Sequence, residues 1–109
     1  MKFENRLNEL RILAGQYAKA QAEREYLDNF RHSKIAILMK QYEKDYPTAA
    51  AQEREARAHP EYRELLDALR TATEEAEKAR WLLKIAEIGA SLYQTEQANA
   101  RAEMKNLGG

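Results

Sequence analysis

From Leu65 onward the apolar positions recur at alternating steps of four and three: Leu65, Leu69, Ala72, Ala76, Ala79, Leu83, Ala86, Ala90, Tyr93, Gln97, Ala100 and Met104. A repeat of this period keeps one face of an α-helix turned to a neighbour, so the pattern predicts a long helix with a heptad seam. Ala is its commonest residue, which lets a facing helix come close. Only Tyr93 and Gln97 depart from Leu, Ala and Met.

The first part of the chain carries a weaker version of the same pattern. Phe3, Leu7, Leu10, Ala14 and Tyr17 keep the four-three spacing, Gln21 and Arg24 dilute it, and it resumes as Leu27, Phe30, Ile37 and Leu38. Met39, Tyr42 and Tyr46 lie on an adjoining face. With no Pro before Pro47, the spacing predicts a long helix over 3–46, with a bend or fraying near Gly15. Pro47 disfavours the helical conformation at Tyr46. Thr48 is a suitable N-cap for a short Ala-rich helix over 48–58, on which Glu53 and Arg57 form an i,i+4 pair. His59-Pro60 interrupts again, and Pro60 suits the first position of a last helix over 60–105, with Glu74 and Lys78 as a further i,i+4 pair. Asn106, Gly108 and Gly109 suit a left-handed terminus. The expected fold is all-α: two long antiparallel helices joined by a short helical connector, in a single helical domain over 1–109.

A second stripe on the last helix changes this picture. Trp81, Ile85, Ile88 and Leu92 repeat at the same spacing beside the first seam and leave few polar positions between 81 and 93. A helix apolar on most sides is buried on most sides. One stripe meets the first helix; the other needs another protomer, so a helical homo-oligomer is expected, with these four residues in its interface. A close helix crossing would account for Gly89.

Composition agrees with a helical chain: 33% of residues are charged, with 4 Gly and 2 Pro among 109. The 18 basic residues balance 18 acidic ones, which argues against an undifferentiated basic nucleic-acid binder but leaves room for a local patch. There is no Cys, hence no disulfide or thiolate chemistry. Met1-Lys2-Phe3-Glu4 lacks the apolar run of a signal peptide, and no window is long and apolar enough to span a membrane. A cytoplasmic location is expected.

Catalytic and metal chemistry find little support. His32 and His59 lie far apart, no HExxH occurs, and Glu74, Glu75 and Glu77 diverge around a helix, so neither a metal ion nor a cofactor is expected. Phosphate loops and nucleophile elbows are absent, and no enzymatic activity is expected. The segment 30–46 is more suggestive. Arg31, Lys34, Lys40 and Lys44 oppose Glu43 and Asp45, with Phe30, Tyr42 and Tyr46 interleaved. Cations that meet phosphates beside rings that stack bases are what single-stranded nucleic acid requires.

Several blocks resemble small phage proteins of the UvsY type, the recombination mediators. They are Ile35-Ala36-Ile37-Leu38-Met39-Lys40 running into Tyr42 and Tyr46, Ala51-Gln52-Glu53-Arg54-Glu55-Ala56, Pro60-Glu61-Tyr62-Arg63-Glu64-Leu65, and a Trp81-bearing last helix ending in Gln94-Thr95-Glu96-Gln97. The resemblance is diffuse and covers most of the chain. It implies an α-helical protein without catalytic activity, assembled into rings through its C-terminal helix. The implied partners are single-stranded DNA, the single-strand binding protein and the recombinase. Basic residues just before a Tyr pair bear on DNA binding in that family. Lys40 falls at the first such position, Lys44 is nearby, and Tyr42 occupies the second.

Two functions are therefore expected. The leading one is an oligomeric accessory protein of phage-type DNA recombination that contacts single-stranded DNA through Arg31, Lys34, Lys40, Tyr42 and Lys44. The alternative is a helical protein-interaction module, an adaptor or inhibitor, without nucleic-acid contact.

Overall fold

The computed structural model describes residues 3–108, which form three helices and no strand: α1 (Phe3–Gln41), α2 (Ala49–Ala58) and α3 (Pro60–Gly108). The protein is all-α. The readings made above on Met1, Lys2 and Gly109 lie outside the described residues. The chain divides into two compact units, Ala18–Glu77 and Met1–Tyr17 with Lys78–Gly109.

The unit Ala18–Glu77 holds every fully buried side chain among the described residues. Ile35, Leu38 and Met39 of α1 pack with Ala56 of α2 and Tyr62 of α3, and Leu38 is 0% exposed. Leu65, Ala72 and Ala76 continue the buried line along α3. Lys34 meets Glu61, while Ala20, Glu23 and Leu27 lie with Ala68, Thr71, Ala72 and Glu75, so α1 and α3 run antiparallel in this unit. The Thr48 hydroxyl accepts from the Ala51 N–H at 3.1 Å and opens α2. His59 serves both neighbouring helices. Its N–H donates to the Ala56 carbonyl at 3.2 Å, and its Nδ1 accepts from the Glu61 N–H at 3.0 Å. That side-chain bond satisfies one of the free amides at the start of α3.

In the other unit α1 and α3 are again antiparallel. The Arg6 guanidinium lies 4.6 Å from the centre of the Tyr93 ring, and Phe3 borders an open groove with Tyr93, Gln97 and Arg101. Leu7, Leu10, Leu13, Leu83, Ala86 and Ala90 are half-buried. No described residue of this unit is fully buried.

The α3 seam follows the sequence pattern from Leu65 to Tyr93; beyond that Gln97, Ala100 and Met104 are exposed. The α1 pattern needs correction. Phe30 and Ile37 face solvent, and Ile35 takes the core position beside Leu38. Leu13, not Ala14, is the half-buried residue at that turn. Helix α1 also ends at Gln41, short of Tyr46. The chain turns there through hydrogen bonds from Tyr42 to Met39 at 3.0 Å and from Asp45 and Tyr46 to Tyr42, which releases it before Pro47. At the other end α3 runs to Gly108, and no described residue has a positive φ. Helix α1 continues through Gly15. At Gly89 the nearest group to an added Cβ is Arg6 Nη1 at 3.5 Å, an ordinary contact in place of a close backbone crossing.

Candidate interaction surfaces

Helix α3 carries its second stripe on the outside. Trp81 is 51% exposed, Ile85 62%, Ile88 53% and Leu92 59%, all on one line of the helix. The Arg80 guanidinium lies 4.8 Å from the centre of the Trp81 ring system and the Lys84 ammonium 5.6 Å, so two cations flank the indole where the stripe begins. Leu82 adds a partly exposed apolar side chain at the margin. The sequence expectation for Glu74 and Lys78 does not hold: they form no ion pair among the described residues, and both are exposed. By contrast Arg57 does pair with Glu53, at 2.8 Å, as the spacing predicts; this bond raises the Arg57 guanidinium above its ordinary value.

The basic and aromatic segment of α1 separates into two groups. Arg31 and Lys34 are half-buried and engaged within the chain. Arg31 Nη2 lies 3.2 Å from Asp28 Oδ1. The Tyr62 hydroxyl is the largest influence that raises the Arg31 guanidinium above its ordinary value. Lys34 Nζ donates to Glu61 Oε2 at 2.8 Å and holds that carboxyl below the usual glutamate value. Lys40 and Lys44 are exposed and form no ion pair among the described residues. They do not share a helical face, because α1 stops between them. Tyr42 is half-buried, edge-on to Tyr46 at 5.8 Å and to His59 at 6.3 Å, so its ring is occupied at the junction of the three helices.

One surface feature was not expected from the sequence. The rings of Tyr26 and Phe30 stack at 6.1 Å and 8° on the solvent side of α1. Their i,i+4 spacing is legible in the sequence, but Phe30 fits the inward stripe of α1 equally well.

No group of three or more His, Asp or Glu side chains converges as a metal site among the described residues. His32 is exposed, His59 is tied into the α2–α3 junction, and Glu74, Glu75 and Glu77 are exposed on α3. Among the described residues no helix is long and apolar enough to cross a membrane. Compared with protein-family models, with curated proteins and with solved structures, the chain matches none.

Proposed function

We propose that this is a non-catalytic helical assembly protein that acts by helix–helix association through the outer stripe of α3. The observation that carries this reading is the contrast in burial. The unit formed by 18–77 has its own core, whereas the unit containing Trp81, Ile85, Ile88 and Leu92 has no fully buried side chain among its described residues and turns these four residues to solvent. Two helices that bury so little do not offset their ordering entropy unaided. Covering the stripe supplies the missing burial, at about 25 cal/mol per Å² of apolar surface. Light scattering tests this. The chain should be oligomeric at micromolar concentration, and Ile88→Asp should dissociate it, because an unpaired buried carboxylate costs several kcal/mol. An unchanged mass for that variant would remove Ile88 from the interface and the reading with it.

A second reading, the recombination accessory implied by the resemblance, rests on Lys40 and Lys44. These exposed cations remain available to phosphates, whereas Arg31 and Lys34 are engaged within the chain. An oligomer would multiply such weak contacts along one strand. Fluorescence anisotropy of a labelled single-stranded oligonucleotide decides it: binding that weakens steeply with salt supports the role, and no binding at low salt by the intact oligomer leaves the protein-interaction function alone.

A further inference from the structure

We infer that the outer stripe of α3 is covered by the same stripe of a second copy running antiparallel, about a two-fold axis that passes between the two helices level with the Ala86–Glu87 step. This rests on the association proposed above and adds its direction and its charge pairs. An α-helix turns by about 100° per residue, which sets Trp81, Ile85, Ile88 and Leu92 on one line and puts Lys78 and Glu96 on the same flank of it, one at each end. Lys78 and Glu96 are exposed, and neither forms an ion pair in its own chain among the described residues.

Antiparallel two-fold pairing lays Ile85 on Ile88 of the second copy and Trp81 on its Leu92. It also brings Lys78 beside Glu96 of the second copy, twice by symmetry. Parallel pairing in register forms neither contact. Its two-fold axis runs along the helices, so the flank that bears Lys78 and Glu96 lies on opposite sides of the seam in the two copies. The flanks of the stripe are thus complementary to themselves only when one copy is reversed. A second copy also fits the burial pattern. A unit with no fully buried side chain among its described residues needs its cover as it folds, and an identical chain is always present in equal amount. With 18 basic and 18 acidic residues, no net charge holds two copies apart. A standard interface takes about 800 Å² from each partner, and four large side chains left half to three-fifths exposed supply on the order of half of that, with a polar rim for the remainder.

The absence of Cys makes cross-linking a clean test in the full chain. Lys78→Cys and Glu96→Cys are prepared separately, then treated with a short bismaleimide alone and after mixing with subunit exchange. The mixture should yield a covalent dimer and each variant alone should not, because identical positions then lie roughly 27 Å apart along the axis. Self-linking of either variant alone to the yield of the mixture would be incompatible with this antiparallel register and would overturn the inference. So would an oligomer of unchanged mass that links in neither arm, which leaves association through α3 standing. Charge exchange gives the second measurement. Lys78→Glu and Glu96→Lys should each raise the dissociation constant about three- to tenfold, and the double variant should restore it. Single variants that dissociate like the parent would also overturn the pairing. A parent chain that is monomeric by light scattering at every concentration would instead sink the association on which the inference rests.

Discussion

Lys34 Nζ stands 2.8 Å from Glu61 Oε2, so a lysine of α1 is tied to the first turn of α3 across 27 residues of sequence. The bond sits at the rim of the core formed by Ile35, Leu38 and Tyr62 and ties both helices to one register. It is also the clearest source of pH dependence. The Lys34 hydrogen bond depresses the Glu61 carboxyl below its ordinary value. Stability from a depressed carboxyl is complete above its unfolded value and is lost as the pH falls through the folded one. Glu61→Gln should therefore lower the melting temperature at neutral pH, and the gap should close on acidification below the ordinary glutamate value. Thermal melts followed by circular dichroism from pH 7 to about pH 3 check this; a gap of constant size would assign Glu61 another role.

Leu38 should dominate the stability of the 18–77 unit. It is 0% exposed, and Leu38→Ala should cost about 2–5 kcal/mol through lost burial and the cavity left behind. Ile37→Ala, one residue away but half exposed, should cost much less. Chemical denaturation of both variants measures the ratio; equal losses would contradict the register found for α1.

The His59 side chain acts as an N-cap for α3, so His59→Ala should destabilise by about 1 kcal/mol. Asn, which also offers a side-chain acceptor, should recover most of the loss. A melting temperature unaffected by His59→Ala would mean that Pro60 alone sets the start of α3.

Gly15 is helical and exposed, and nothing lies within 4 Å of an added Cβ. Gly15→Ala should stabilise the protein by roughly 0.5–1 kcal/mol through helix propensity. Differential scanning calorimetry should show a higher melting temperature; a decrease would reveal a contact at this position in the assembled protein.

If single-stranded nucleic acid binds, the two groups of cations should behave differently. Lys40→Ala with Lys44→Ala should weaken binding to all sequences alike and flatten its salt dependence, by about 0.7 log unit per lost contact per decade of salt. Those changes should leave the mass unaltered. Arg31→Ala should instead lower the melting temperature, since Arg31 lies against Asp28 and Tyr62 inside the unit. Equal effects of both on binding and none on melting would return Arg31 to the binding surface.

The two long helices differ in how far their sequences disclose their packing. Along α3 the seam alternates with charge, so Leu65, Ala72 and Ala76 could be placed inward from spacing alone. The run Ile35-Ala36-Ile37-Leu38-Met39 is apolar on every side, so periodicity cannot choose within it. Contact with Ala56 and Tyr62 makes the choice and leaves Ile37 outside. Arg24, Arg31 and Lys34 blur the signal further, because their long side chains occupy half-buried positions that spacing would assign to apolar residues. The end of α1 was equally hard to read: Glu43, Lys44 and Asp45 do not forbid a helix, and Pro47 marks only where it can no longer continue. The stripe from Trp81 to Leu92 was visible in the sequence, and its exposure is a property of the fold.

Under the proposed association, the uneven distribution of burial should give the chain two regimes of amide exchange. Opening the helices around Leu38 and Leu65 exposes a core that each chain builds for itself, so protection there is an intramolecular property. Around Ile88 the stripe has no cover of its own, and the proposed cover comes from a second molecule. Protection of those amides should then rise with protein concentration by mass action while that near Leu65 stays constant. Dilution would become the control that loosens one stretch of α3 and leaves its beginning folded.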